Sequence, residues 1–144
     1  LSDGQVGWDW FALQLSDGWD LMVYQLRGED GSPDPLSDGV LISPEGRRVP
    51  LEWGRGVLVE PTQTWFSPVD DAEYPSGWRI RVPEQDLDLT VTPALPDQEL
   101  RVAFRYWEGS VRVSGKGPGG NEVSGRGYVE LTGYAGPSLQ DGAK

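Results

Sequence analysis

Trp78-Arg79-Ile80-Arg81-Val82 and, four residues later, Leu87-Asp88-Leu89-Thr90-Val91-Thr92-Pro93 alternate apolar and polar residues along their length. Successive side chains of an extended strand point to opposite faces. Trp78, Ile80 and Val82 therefore share one face and Arg79 and Arg81 the other. Leu87, Leu89 and Val91 likewise stand opposite Asp88, Thr90 and Thr92. The pattern predicts two half-buried strands, with Trp78, Ile80, Leu87, Leu89 and Val91 turned inward and Arg79, Arg81 and Asp88 outside or paired. A slip of one residue would exchange the faces, so the register is strongly specified.

The same reading extends in both directions. Trp8–Leu15 and Trp19–Arg27 are rich in aromatic and branched residues and are joined by Ser16-Asp17-Gly18, a hairpin turn in which Gly18 can take positive φ. Gly39–Ser43, Arg48–Trp53 and Gly56–Glu60 read as short strands between glycine-containing turns. Leu100–Ser114 and Arg126–Tyr134 complete the set. Gly28–Asp38 reads as a long acidic loop and Pro61–Gly77 as an irregular stretch. Nine or ten strands, with no helical period, predict an all-β antiparallel barrel or sandwich in one domain spanning 1–144. Leu-Ser-Asp-Gly recurs from Leu1, Leu15 and Leu36, at unequal spacings and with unmatched flanks. It is reused turn chemistry rather than a repeat.

Composition excludes several functions. The chain has 144 residues, 12 basic against 23 acidic, for a formal net charge of -11. That charge, with no basic stripe, repels nucleic-acid backbones and argues against a nucleic-acid partner. There is no cysteine and no histidine, which removes thiolate and imidazole metal sites, Cys nucleophiles and the Ser-His-Asp triad. No metal or cofactor is expected. No apolar run is long enough for a membrane span, so a membrane-spanning chain is not expected. The start at Leu1, without Met, suggests a piece of something longer.

Two motif matches carry little. Gly115–Gly120 satisfies GxGxxG, but it leads into another strand rather than a helix N-terminus that could hold a pyrophosphate, so it reads as a hairpin loop. Asp30–Asp38 lacks the spacing of a calcium loop and reads as solvated. The aromatic clusters say more. Trp8 and Trp10 share one face of the first strand, with Asp9 and Phe11 on the other. In the last strand Tyr128, Glu130, Thr132 and Tyr134 form one face, and Trp107 is followed at once by Glu108. A polar-aromatic face is either solvent-facing or turned into a cavity that holds a ligand. Carboxylates among aromatics, Asp9, Glu108 or Glu130, are the acid–base candidates, since desolvation raises a carboxyl pKa.

The ordered motifs also carry a resemblance. Val6–Leu15 and Leu21–Arg27 look like the opening hairpin of a second domain. Trp65-Phe66-Ser67-Pro68, Tyr74-Pro75, Trp78-Arg79-Ile80, Asp97-Gln98-Glu99-Leu100, Tyr106-Trp107-Glu108-Gly109 and Gly127–Tyr134 continue the match. Together these resemble AttH-type proteins, a group described as secreted hydrolases and linked with transporter operons. Carotenoid hydratases and some fungal cyclases are more distant relatives.

The resemblance implies a lipocalin-like barrel, the second of two, with a missing N-terminal barrel domain as its partner and a secreted or envelope location. Hydratases of this kind are expected to add water by acid catalysis through Asp, Tyr, Trp and His. Trp8, Asp9, Trp10 and Tyr24 match that neighbourhood. No histidine does, and Gln25 stands where an acid is expected. The leading expectation is a domain binding a lipid- or isoprenoid-like apolar small molecule in a cavity lined by Trp8, Trp10, Tyr24, Tyr106 and Trp107. The alternatives are an acid-catalysed hydratase, isomerase or cyclase using Asp9 or Glu108, and a structural or interaction half of a two-barrel protein.

Overall fold

A computed structural model describes residues 1–69 and 71–135. Among them are twelve strands and a single 3-10 turn, Pro83–Gln85. The strands are β1 (Gln5–Leu15), β2 (Asp20–Gly28), β3 (Asp38–Ile42), β4 (Arg48–Glu52), β5 (Leu58–Pro61), β6 (Thr64–Phe66), β7 (Glu73–Pro75), β8 (Trp78–Val82), β9 (Leu87–Pro93), β10 (Glu99–Arg101), β11 (Arg105–Lys116) and β12 (Glu122–Leu131). Among the described residues no helix is long and apolar enough to cross a membrane.

Ten strands form one antiparallel sheet in the order β4-β3-β2-β1-β12-β11-β9-β8-β5, with β10 on β11. The sheet curls into a lipocalin-like half-barrel around a single core. Its two edge strands, β4 and β5, follow each other in sequence, and a parallel bridge between Trp53 and Val57 spans the tight turn that joins them. Each edge strand carries a proline, Pro50 in β4 and Pro61 at the end of β5. β6 and β7 form a separate hairpin, whose fully buried Tyr74 joins the core.

Alternation sets the inner face as expected. Trp78, Ile80, Leu87, Leu89 and Val91 are all buried. Their neighbours lie outside, and Arg79 grips Asp88 in a bidentate pair, with Nε and Nη2 donating at 2.9 and 2.6 Å. Phe11, Leu13 and Leu15 of β1, Leu21 and Val23 of β2, Val111 and Val113 of β11, and Val129 and Leu131 of β12 fill the rest of the interior. Phe11 meets Trp78 edge to face at 5.2 Å, and Trp78 meets Trp107 at 6.4 Å. The inside of the sheet is a packed core.

Three segments differ from the sequence reading. Pro61–Gly77 holds the β6–β7 hairpin, whose strands are too short to show a period. Leu100–Ser114 is not continuous: the chain folds back at residues 102–104, pairing Glu99 with Trp107 and Leu100 with Tyr106. The last strand begins earlier, at Glu122, and stops at Leu131, because Gly133 adopts φ 79. Gly117–Asn121 is the β11–β12 hairpin loop, closed by the Gly117 and Gly120 amides, as expected for the glycine-rich motif.

Candidate functional site

β1 is apolar on both faces. Its odd residues Asp9, Phe11, Leu13 and Leu15 point into the core, while Trp8, Trp10 and Ala12 point outward. The register carries this outward row across the sheet. Trp8 pairs with Leu26, Trp10 with Tyr24 and Ala12 with Met22 on β2. On the other side Trp10 pairs with Glu130 and Ala12 with Tyr128 on β12. Glu130 in turn faces Glu108 on β11.

Two adjoining concavities result on the outer wall. An apolar groove of about 370 Å³ is lined by Trp8, Trp10, Met22, Tyr24 and Leu26. A second, of about 210 Å³, is lined by Trp10, Ala12, Glu108, Tyr128 and Glu130. Trp10 is the wall common to both, and 45% of its surface is exposed. The indole N–H of Trp8 donates to Glu130 Oε1 at 2.9 Å, which holds that carboxylate at the rim. Tyr106 and Tyr128 have phenol pKa values raised chiefly by desolvation, then by the charge of Glu108. This corner of the wall is apolar and negative together.

Asp9 and Trp107 lie on the opposite side of their strands. Asp9 is buried beneath the sheet, where the Tyr134 hydroxyl donates to its carboxylate at 2.9 Å and Arg27 Nε stands 3.4 Å away. The Arg27 guanidinium lies over the Tyr134 ring, 3.9 Å from its centre, and also donates to the Thr132 carbonyl. Burial raises the Asp9 pKa, against the opposing effects of the Arg27 charge and the Tyr134 hydrogen bond. Burial and the Asp9 charge push the Tyr134 phenol up as well. Trp107 is a core residue whose indole N–H donates to the Pro96 carbonyl at 2.8 Å.

The structure thus brings Trp8, Trp10, Tyr24, Tyr106 and Glu108 to the outer wall and places Asp9 and Trp107 inside. The expected interior cavity lined by all five aromatics is not formed, because large aliphatic and aromatic side chains from every inner face occupy that space. Sequence reasoning passed over Met22 and Leu26, although two-residue spacing from Tyr24 puts both on its face. It also passed over Arg27 as the partner of Asp9. Tyr134 was assigned to the face of Tyr128, but the left-handed Gly133 reverses the alternation and turns Tyr134 inward to Asp9. Among the described residues no cluster of three or more acids could hold a metal ion.

The family model described as AttH-like matches residues 1–134. Among solved structures, a protein assigned as an AttH from Nitrosomonas europaea superposes with a TM-score of 0.80 at 34% identity, over 94% of this chain and 41% of that one. Kievitone hydratase from Nectria haematococca superposes with a TM-score of 0.72 at 19% identity, over 89% of this chain and 39% of that one. The second likeness is one of fold alone. The chain spans well under half the length of either protein. No curated protein matches it significantly in sequence.

Proposed function

This chain belongs to the AttH-like family, and from that premise and the geometry of its outer wall we propose that it binds an apolar, lipid- or isoprenoid-like small molecule on the outside of the barrel. The observation that carries the reading is the groove of Trp8, Trp10, Met22, Tyr24 and Leu26 on the outer wall, opposite the face whose side chains form the buried core. Aromatic walls supply apolar area on side chains of few rotamers, so little ordering cost opposes binding. At about 25 cal/mol per Å² of buried apolar surface, so small a groove supplies a few kcal/mol before immobilisation costs, and its affinity for such a ligand is no tighter than micromolar. The groove is open to solvent, with Trp10 45% exposed on its wall.

The test is titration with a panel of isoprenoid alcohols and fatty alcohols, read by tryptophan fluorescence and calorimetry. Saturable binding that Met22→Asp and Trp10→Ala each weaken at least tenfold supports the reading. Binding unaffected by either substitution, or no binding across the panel, overturns it.

A second reading, an interaction half, is favoured by β10 and the turn after it. Leu100 of β10 and Val102 and Phe104 of the turn are all exposed, and Phe104 stacks on Tyr106 at 5.2 Å. Exposed apolar residues this concentrated mark a surface that a protein partner covers. Under this reading the protein self-associates when alone, and Val102→Ser with Phe104→Ser abolishes that association in sedimentation velocity.

A further inference from the structure

The concavity beside the groove has a composition that an apolar ligand does not require. Glu108 and Glu130 are direct cross-strand partners on one face, an arrangement in which like charges repel. The next charged residues along that face of the same two strands, Arg112 and Arg126, are four positions away, roughly 13 Å at the rise of a strand. Among the described residues, neither arginine forms an ion pair with either glutamate. Trp10 stands between the carboxylates and the groove, and Tyr128, two residues before Glu130 on the same strand, lines the pocket's other side. Ala12 contributes the smallest side chain of the outward row, leaving the depression open.

We propose that this pocket binds the cationic head, an alkylammonium or quaternary ammonium, of the ligand whose apolar body lies in the adjoining groove. The inference rests on the groove being the ligand site and names the other end of the same molecule. Aromatic ring faces attract organic cations through their quadrupole, most strongly for Trp, and a weakly hydrated ammonium is desolvated cheaply against them. The two carboxylates supply the countercharge with one to spare, and a seated monocation lowers their cross-strand repulsion. A hard metal ion is a poor fit, because calcium takes six to eight oxygen ligands and this pocket offers two carboxylates between rings. Trp10 walls both concavities, so head and body meet at one side chain without a gap. The raised phenol pKa values of Tyr106 and Tyr128 agree with a negative local potential, with burial as their larger cause.

The experiment compares three probes of equal chain length, octyltrimethylammonium, 1-octanol and octanoate, far below their micelle concentrations and at about 0.15 M salt to screen the net charge. Calorimetry on the wild-type protein should rank octyltrimethylammonium at least tenfold tighter than octanol, with octanoate weakest. The double variant Glu108→Gln, Glu130→Gln should lose that tenfold preference while its octanol affinity stays within twofold. That unchanged affinity also shows that the wall is intact. Glu45→Gln, on the distant β3–β4 turn, should leave all three affinities unchanged, which separates the pocket from the general acidity of the chain. Octanol binding with no preference for the cation, or a preference that survives the double substitution, overturns the head-group assignment and leaves the groove standing. Cation binding that the double substitution abolishes, with no octanol binding, supports the pocket and removes the groove. Binding of none of the three overturns both.

Discussion

Phe11→Ala and Trp10→Ala test the face assignment of β1 from neighbouring positions. Phe11 is 1% exposed and meets Trp78 edge to face at 5.2 Å. Deleting its ring removes a fully buried aromatic and leaves a hole in a packed core, a loss of about 3–5 kcal/mol. The aromatic pair itself accounts for about 0.5–1.5 kcal/mol of that. Trp10 leaves 45% of its surface in solvent, and its removal opens no enclosed void. Its substitution should cost about 1–2 kcal/mol, from the half-buried area alone.

The two variants should therefore differ by at least about 1 kcal/mol, a measurable share of the 5–15 kcal/mol total of a typical domain. Urea unfolding followed by far-UV circular dichroism measures this without relying on tryptophan emission. At about 2–4 °C per kcal/mol for a chain of this size, Phe11→Ala should melt roughly 6–20 °C below wild type. If Phe11→Ala does not fold while Trp10→Ala does, the ranking still holds, and Phe11→Leu, which keeps most of the volume, should fold with a loss of under about 1.5 kcal/mol. A Trp10→Ala cost equal to or above that of Phe11→Ala would mean that the outward row is the core row, and the groove would not exist.

Three further outcomes are expected. Asp9 has a folded pKa raised above its ordinary 3.8, so its protonated form favours the native state. That contribution is complete below 3.8 and is lost as pH rises through the raised value. The stability of wild type relative to Asp9→Asn should accordingly decline as pH rises from 3.8 through that raised value, and a difference that grows with pH would contradict it. Arg79→Ala should leave stability nearly unchanged, because both partners of the pair with Asp88 are over a third exposed. Asp88 is held below its ordinary pKa first by the Arg79 hydrogen bond, so this small contribution should vanish as pH falls through that lowered value in urea titrations. Gly127→Ala would drive a methyl group into the Ala12 carbonyl oxygen and the Leu13 side chain. It should destabilise the protein by about 1–3 kcal/mol in thermal melts, and a neutral result would mean that β12 does not approach β1 as closely as described.

The paired strands at Trp78–Val82 and Leu87–Pro93 were legible because one of their faces is apolar and the other polar. β1 was only half legible for the converse reason. Trp8, Trp10 and Ala12 are as apolar as Phe11, Leu13 and Leu15, so a period of two separates the rows without saying which one faces the core. Pairing with β2 and β12 decides it. Alternation did contain a warning about the site: Tyr106 and Trp107 are adjacent on one strand, as are Trp8, Asp9 and Trp10, so these residues could not all line one cavity. The buried Asp9–Arg27–Tyr134 contact was out of reach, because it joins positions 125 residues apart in sequence and depends on the reversal at Gly133. The β6–β7 and β10 strands, at three residues each, are too short for any periodicity to register.

The incompletely closed sheet bears on how this protein can be recognised. An open edge exposes unpaired amides and carbonyls on which a stray strand can build, the route by which β proteins polymerise. Here Pro50 removes one backbone donor from β4 and Pro61 another from β5, and Arg48, Glu52 and Glu60 place charges beside them. An incoming strand would find each ladder interrupted and its ends charged. Recognition by backbone addition, the mode in which a guest segment becomes one more strand, is thereby discouraged at both margins. A guest turned away from β4 and β5 still has the lateral wall, which it reads through side chains. Specificity on this scaffold can then be rewritten by substituting outward residues of β1, β2, β11 and β12, with the hydrogen-bonded framework left as it is.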